Sequence, residues 1–593
     1  MNFKSCIAAL LAVFILGMTT SCEDMFDITS NRVVYDHEIN STADSVYTTL
    51  GVLQCMRKVA DRYILLGEVR GDMCDITEYT KTSLRNLANF NFDDENEYLN
   101  VRDYYAIINN CNYALAKMDT TLAINNQRVM LDEYAALQGI RAWTYLQLAI
   151  NYGEVPYYTY PVVTEADVDK AYAEGKKDIK AITEDLAPRL IPYLDYSLPS
   201  FAQTQGGYPI LRLVLADLYL WSGDYENAVK YLEEYFMKNK QRSYSVSEGV
   251  YVATQPGYFS LGGKILEWDG DDKLPMIDAV TGAEFYTSVL GDENIAHIEM
   301  AVSGDEGIAS EVSSLFWPMD GKVSLNPSAS WKSLSAQQMV FKYKELKNDK
   351  DTLYRTTKLG DMRAEPYLVI SLTTNEITGE MEMTNVYEKH SLLYIQIYRR
   401  SIGYLRWAEA LNALAKERHE VAADSAQLAE ARKLAVNSFY LLKDASKVFF
   451  PDSSDVQKKF QFAETKYKKE FTGVHSRGAG DVERDSIYYV LTSEVVANRL
   501  GKNVTELTFN DTIEYIDNLI IDELALESTL EGNRFGDLIR FSKRRQAWGD
   551  AEYRDFLAKR VSERGGEEAS AEERQALYEK LSNSEEYWFL PFK

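Results

Sequence analysis

Apolar residues recur at three- and four-residue spacing along much of the chain, a pattern that predicts a mainly helical protein. The clearest stretch is 133–156, where most positions are apolar and the polar residues form only a narrow stripe. A helix with so little polar surface must be packed on more than one side. Gly139 and Ala142 predict a close helix crossing, and Gly153 followed by Pro156 predicts the end of the helix.

Two further stretches predict pairs of helices joined by tight turns, as in tetratricopeptide repeats. One lies at 211–228, with Gly223 and Asp224 at the turn, and the other at 404–442. Because a single pair cannot cover its own apolar face, several pairs must stack. We therefore predict a mainly α fold in which tetratricopeptide-like helix pairs form a right-handed superhelical frame. About four pairs are expected, at 101–150, 177–236, 401–442 and 512–547.

The helical pattern is interrupted between 243 and 400, where Gly, Pro and Trp are more frequent. Short alternating runs at 367–370 and 393–398 predict a few short strands within this loop-rich insertion. Loops of this length in a compact protein usually carry function. We therefore predict five segments: a signal peptide (1–21), a lipidated cysteine and tether (22–44), an N-terminal helical part (45–242), the insertion (243–400), and a C-terminal helical part (401–593) packed on the N-terminal helices.

Aromatic residues in the insertion are the candidate ligand contacts. A flat ring can stack on the apolar C–H face of a sugar or on a peptide side chain, while nearby polar groups bond the ligand. The alternative is that these rings only fix the loops in place. The candidates are Tyr258, Trp268, Tyr286, Trp317 and Trp331.

The 593-residue chain carries 64 Lys and Arg residues against 90 Asp and Glu residues, a formal net charge of -26. Nucleic acids bind to basic patches on proteins, so this negative charge argues against a nucleic-acid partner. The acidic run 267–272 could hold calcium through its carboxylates, but a solvated loop is the simpler interpretation. We predict no cofactor.

The N-terminus predicts an exported, lipid-anchored protein. Lys4 is followed by an apolar run at 7–18, which suits the core of a signal peptide and is too short to span a bilayer. Small residues then precede Cys22, as in the cleavage box of a lipoprotein, and acidic residues follow it. We predict that Cys22 is lipidated, although an ordinary signal peptide beside a chance cysteine is the alternative.

The remaining cysteines, Cys55, Cys74 and Cys111, are odd in number and lack C-x-x-C spacing. This argues against a zinc site and favours buried thiols, with a single disulfide as the alternative.

Glu523 and Glu527 could form the carboxylate pair of a glycosidase. Arg534, Asp537 and Arg540 follow at three-residue spacing, which predicts ion pairs across neighbouring turns, so a structural ion-pair network is the better interpretation.

Several motifs together resemble the SusD/RagB family of surface lipoproteins from nutrient-uptake systems. Arg141-Ala142 followed by Trp, with a Tyr-Gly-x-Val-Pro exit, resembles one helix of the family. Tyr105, Ile108 and Asn112 resemble another. Near the end, a glutamate helix at 523–531 runs into E-G-x-R-x-x-D-L-x-R at 531–540, and 587–591 resembles the family's closing aromatic-Leu-Pro. We predict that Glu523, Glu527 and Glu531 lie one turn apart on one helical face.

The resemblance implies a binding protein rather than an enzyme. It implies a partner, a SusC-like TonB-dependent transporter, and a lipid-anchored place on the outside of the outer membrane. The ligand would be an oligosaccharide or, in the RagB branch, a peptide. Tyr98 stands where the family often has Trp, and it is a further candidate contact. An exported glycoside hydrolase and a repeat scaffold for protein partners remain as alternatives.

Overall fold

The computed structural model describes most of the helical residues and part of the insertion. The described residues are 39–93, 95–199, 207–242, 294–317, 322–337, 339–344, 352–359, 368–374, 381–387, 390, 393–442, 474, 491–566 and 569–592. Cys22, the candidate contacts Tyr258, Trp268 and Tyr286, and the acidic run 267–272 lie outside them.

Helices dominate the described part of the chain, which confirms the predicted mainly α fold. In chain order they are α1 (Thr42–Glu68), α2 (Thr82–Ala88), α3 (Arg102–Lys117), α4 (Leu131–Tyr152), α5 (Glu165–Ala173), α6 (Ile179–Leu190), α7 (Leu211–Ser222), α8 (Tyr225–Arg242), α9 (Val312–Phe316), α10 (Ala329–Ala336), α11 (Arg400–Glu420), α12 (Ser425–Leu442), α13 (Ser493–Leu500), α14 (Phe509–Glu527), α15 (Arg534–Ala547), α16 (Tyr553–Ser562) and α17 (Ala571–Asn583).

Strands are short and pair as two-stranded antiparallel ladders. They are β1 (Cys74–Ile76), β2 (Ala123–Ile124), β3 (Gln127–Arg128), β4 (Val155–Pro156), β5 (Lys176–Lys177), β6 (Asn294–Glu299), β7 (Leu325–Pro327), β8 (Met339–Lys344), β9 (Thr352–Leu359), β10 (Leu368–Thr374), β11 (Met381–Tyr387) and β12 (Tyr394–Arg399). The strands predicted near 367–370 and 393–398 are confirmed as β10 and β12. The pairing of β1 with β7 joins the chain after α1 to the insertion.

Consecutive helices pack as pairs, which confirms the tetratricopeptide-like interpretation. The pairs α3–α4, α7–α8, α11–α12 and α16–α17 each pack closely, and α14 lies against α11. Gly223 ends α7 in the left-handed conformation, with φ of 81°, so the predicted tight turn before α8 is also confirmed.

Helix α4 is the centre of the frame. Of its 22 residues, 19 are buried, because α3 packs on it from one direction and α6 and α7 pack on it as well. A Cβ atom on Gly139 would lie 3.2 Å from both Leu211 Cδ1 and the Pro209 carbonyl oxygen. The predicted close crossing is therefore real, and Gly153, with φ of 73°, follows the last residue of the helix as expected.

The narrow polar stripe of α4 is bonded inside the core. Arg141 Nη1 donates to Asn112 Oδ1 at 2.8 Å, and its Nη2 donates to Gln138 Oε1 at 2.6 Å. The Asn112 amide in turn donates to the carbonyl oxygens of Tyr158 and Tyr160. These bonds satisfy groups that would otherwise be costly to bury, and they hold the loop after α4 against α3.

The chain between α14 and α15 meets α1 backbone to backbone. A Cβ atom on Gly67 would lie 1.8 Å from the Gly532 carbonyl oxygen, so only glycine fits. The Glu68 carboxylate accepts hydrogen bonds from the backbone N–H groups of Leu530 and Gly532, at 3.2 and 2.7 Å. Our prediction of one continuous glutamate face is wrong at Glu531, because α14 ends at Glu527 and Glu531 lies in this turn.

Buried arginines connect the C-terminal motif to distant elements. Arg534 binds both carboxylate oxygens of Asp72, at 2.5 and 2.8 Å. Arg540 likewise binds both oxygens of Glu409, at 2.8 and 2.7 Å. Burial alone would raise the pKa of Asp72, but the Arg534 charge outweighs it and the pKa lies below its ordinary value.

The same network includes Glu527, one of the two carboxylates that suggested a glycosidase. Arg399 binds Glu527 at 2.6 Å and Glu531 at 2.7 Å, and all three side chains are buried. Glu527 is thus a partner in an ion pair, as the structural interpretation predicts. The helical pattern predicted pairs across neighbouring turns, and the pair of Arg540 with Asp537, at 2.8 Å, confirms one of them. Most of the other pairs join segments far apart in sequence.

Two smaller expectations concern thiols and membrane spans. Cys55, Cys74 and Cys111 are free thiols, and Cys74 and Cys111 are buried. In the described part of the chain, every helix is too short or too polar to cross a bilayer.

Candidate functional site

The segment between β1 and α3 is fastened to the insertion by hydroxyl groups. Thr77 Oγ1 donates to the Val323 carbonyl oxygen at 2.5 Å, and Thr80 Oγ1 donates to that of Ser324 at 2.5 Å. The Ser324 hydroxyl donates back to the Tyr79 carbonyl oxygen at 3.2 Å. Together with the β1–β7 ladder, these bonds fix the two segments as one surface.

Helix α1 fixes the other side of the same surface. Asp61 accepts a hydrogen bond from the Ser310 hydroxyl at 2.6 Å and from the Glu311 backbone N–H at 2.9 Å. Burial raises the pKa of Asp61, although both hydrogen bonds act in the opposite direction. The start of α9 is therefore held at a defined position on the frame.

A cluster of charged groups and one aromatic ring occupies this surface. Lys81 Nζ lies 2.9 Å from Glu311 Oε2 and 3.4 Å from Glu97 Oε1. It also lies 4.7 Å from the centre of the Tyr98 ring, and the Tyr98 hydroxyl donates to Glu311 Oε1 at 2.5 Å. Burial, followed by the bond to Glu311, raises the pKa of Tyr98 far above its ordinary value. Tyr98 is thus a neutral donor that positions Glu311.

The outer side of this cluster is open to solvent. The Tyr79 side chain is 48% exposed, and the side chains of Lys81 and Glu311 are each 38% exposed. Glu97 is more exposed still, and Trp317, directly after α9, is half-buried. We call these five residues the candidate ligand surface. Tyr79 lies two residues before Lys81, and Trp317 follows the short helix that Glu311 precedes, so neighbouring segments carry aromatic rings and groups of both charges. Such a combination suits a polar ligand.

The structure separates the sequence-predicted contacts into two groups. Trp317 lies on the candidate ligand surface. Trp331 is 3% exposed, and its indole N–H donates to Thr529 Oγ1 at 3.0 Å, so its ring belongs to the core. Tyr98 is also 3% exposed, and it acts through Glu311 rather than offering a face of its own.

Sequence reasoning missed four residues of this surface: Tyr79, Lys81, Glu97 and Glu311. Tyr79 had a usable signal, since an aromatic residue stands in a polar run between a strand and a helix. Glu311 had none, because its importance comes from Asp61 and Tyr98, which are distant in sequence. Among the described residues, acidic, histidine and cysteine side chains do not gather into a set that could hold a metal ion.

Comparison with known proteins agrees with the motifs. No model of a protein family matches the chain. A stretch of 187 residues, 30% of this chain, is 28% identical to SusD-like protein P2 of Formosa agariphila. The chain is similar to the SusD-like proteins. The resemblance inferred from the motifs is thereby confirmed. The match spans 35% of the length of that relative, about a third.

Solved structures that align with the chain carry related names. A SusD superfamily protein of Bacteroides thetaiotaomicron is 16% identical, with a TM-score of 0.48, over 89% of this chain and 95% of that one. A SusD-like carbohydrate binding protein of Bacteroides vulgatus is 14% identical, with a TM-score of 0.47, over 85% and 84%. A laminarin binding SusD-like protein is 15% identical, with a TM-score of 0.40, over 86% and 94%.

Proposed function

We propose that this protein is a surface-anchored, non-enzymatic binding protein that captures oligosaccharides and delivers them to a SusC-like TonB-dependent outer-membrane transporter. The similarity of 187 residues to a SusD-like protein carries the proposal. The candidate ligand surface supplies a place for the ligand, and the lipoprotein signal ending at Cys22 supplies the anchor.

The chemistry of the candidate ligand surface supports a binding role. Tyr79 and Trp317 offer rings for stacking, and Lys81, Glu97 and Glu311 can donate to or accept from hydroxyl groups. One carboxylate of the pair that would suit a hydrolase is engaged elsewhere, since Arg399 binds Glu527 within the core. A peptide ligand is the second candidate, because exposed aromatic and charged groups also suit peptide side chains.

The first test is a calorimetric screen of residues 24–593 against neutral oligosaccharides and against peptides. Tyr79→Ala should weaken binding by about 1–3 kcal/mol, as the loss of a stacking anchor does at other interfaces. Tyr47→Ala is a matched control, because Tyr47 is also 48% exposed but lies on α1 outside the candidate ligand surface. Equal affinities of the two variants would show that the ligand does not bind to this surface. Affinity for peptides alone would favour a peptide ligand.

The second test concerns the anchor and the partner. Cys22→Ala should release the protein from the outer membrane or block its processing, because the acyl chains are its proposed attachment. Fractionation that finds the variant still tightly held there would contradict the lipid anchor. Purification of the tagged wild-type protein in mild detergent should also recover a TonB-dependent transporter, and recovery of the protein alone would count against delivery.

A further inference from the structure

A large open cleft shares no lining residue with the candidate ligand surface. Its volume is about 1140 Å³, at or above the upper end of ordinary small-molecule sites. Its walls are the C-terminal ends of α4 and α7, the middle and end of α15, and the C-terminal segment 585–592, with Phe90 and Phe92 at one side. The cleft has room for several sugar units.

The walls of this cleft are fixed by bonds within the core. The Leu590 backbone N–H donates to the Asn151 carbonyl oxygen at 2.8 Å, and Arg70 Nη1 donates to the Trp588 carbonyl oxygen at 3.1 Å. A Cβ atom on Gly153 would lie 3.1 Å from the Phe589 ring, which shows how closely the C-terminal segment packs on the end of α4. Such a preformed cavity loses little conformational entropy when a ligand binds.

The charges that line the cleft balance. Its described lining carries four cationic residues and four carboxylates, although the whole chain has a net charge of -26. They are Lys176, Arg540, Lys543, Arg544, Glu154, Asp178, Glu585 and Glu586. Two of the cations, Arg540 and Arg544, are already bound by Glu409, and Lys543 is bound by Glu585. Lys176 and three carboxylates remain, and this excess of acidic groups disfavours an anionic ligand.

Aromatic rings stand beside these polar groups. Tyr587 is 40% exposed, and Trp221 and Phe592 are partly buried at the cleft wall. Lys176 Nζ lies 4.9 Å from the centre of the Phe592 ring, so a hydrogen-bond donor and an aromatic face occur together. Sugars need this combination, since their C–H faces stack on rings while their hydroxyl groups both donate and accept.

We propose that this cleft is a second binding site for a neutral oligosaccharide, distinct from the candidate ligand surface. The assignment rests on the proposed function, because it takes the same class of ligand. A peptide would find a strand edge or a wholly apolar groove more suitable, whereas these walls combine helix ends with aromatic and charged side chains. The segment 77–100 contributes to both sites, with Tyr79 at one and Phe92 at the other.

The test uses hydrogen–deuterium exchange of residues 24–593 with maltohexaose, cellohexaose, laminarihexaose and mannohexaose. At least one hexasaccharide should protect 585–592 and 176–179. Ala547→Trp places a large side chain in the cleft, and Phe592→Ala removes a ring. Both variants should lower the affinity of the cleft for the protecting hexasaccharide about tenfold or more. Tyr79→Ala should leave the protection of 585–592 unchanged, and Tyr47→Ala is the control for an exposed ring.

Each outcome separates this inference from the proposed function. Protection confined to 77–81 and 311–317 would overturn the second site and leave the proposed function standing. Wild-type affinity in both cleft variants, with unchanged thermal melts, would overturn it as well. Protection of the cleft by a mixture of tryptic peptides, but by none of the sugars, would contradict the ligand class. Protection of neither site by any of the four sugars would overturn both proposals.

Discussion

Two regions of this protein contain pairs of cationic and carboxylate side chains, and the pairs have different roles in the two regions. At the buried junction of Gly67, Asp72, Gly532 and Arg534, the Arg534 and Asp72 side chains are each 2% exposed and share two hydrogen bonds. On the candidate ligand surface, Lys81 is 38% exposed and meets its carboxylate partners at single oxygen atoms. Burial is the main physical difference between them.

That difference decides what each charge contributes. Breaking a buried pair leaves a charge without water or partner, which costs about 3–5 kcal/mol. An exposed pair contributes about 0–1 kcal/mol, since water replaces the lost partner. The junction therefore stabilises the fold. The charged groups of the candidate ligand surface can instead replace their contacts with each other by contacts with a ligand, at little cost in stability.

Removing one cation from each region tests the comparison most directly. Arg534→Met should lower the free energy of unfolding by about 3–5 kcal/mol, because Asp72 stays buried without its partner. Lys81→Met, the matched change at the surface, should cost no more than about 1 kcal/mol. Urea denaturation of both variants measures these values, and similar losses would show that the surface cluster is structural too.

Two tryptophans of the insertion extend the comparison to aromatic residues. Trp331→Ala should cost about 3–5 kcal/mol of stability, because it removes a core ring and leaves Thr529 without the indole donor. Trp317→Ala should cost less than about 1 kcal/mol, since its ring is only half-buried. Thermal melts decide between them, and a large loss at Trp317 would place that ring among the packing residues.

Glycines on α1 test the backbone contact at the junction. Gly67→Ala should cost on the order of 3 kcal/mol, because its Cβ atom would lie 1.8 Å from the Gly532 carbonyl oxygen. Gly51 lies on the same helix, and apart from its chain neighbours and the adjacent helix backbone, no heavy atom of the described residues lies within 4 Å of a Cβ atom built there. Gly51→Ala should therefore stabilise α1 by about 0.5–1 kcal/mol. A tolerated Gly67→Ala would show that the two backbones separate easily.

The smallest expected effect is a dependence of the free energy of unfolding on pH. The pKa of Asp72 lies below its ordinary value of 3.8, so its ionised form stabilises the fold above pH 3.8. That stabilisation is lost as pH falls through the lowered pKa. Asn cannot ionise, so the stability difference between the wild type and Asp72→Asn should shrink below about pH 4. Urea titrations at several pH values measure this difference, and a constant gap would contradict the assigned direction of the pKa shift.

Much of the frame was predictable because helical periodicity is local. The apolar spacing around Gly139 located α4, and Gly223 located the turn between α7 and α8. The alternating runs located β10 and β12 for the same reason, since a strand shows its period of two within a few residues. The close packing at Gly139 also followed from local composition, because a helix with little polar surface must be covered.

Only the tertiary structure decided which aromatic residues reach solvent and which charges find partners. Trp317 and Trp331 look alike in sequence, yet the second packs beside Thr529 and the first lies at the surface. Arg534 binds Asp72, 462 positions away, although the helical pattern predicted partners within a turn. The burial of a side chain and its choice of partner depend on which distant segments pack together. The local periodicity of the sequence carries no information about that packing.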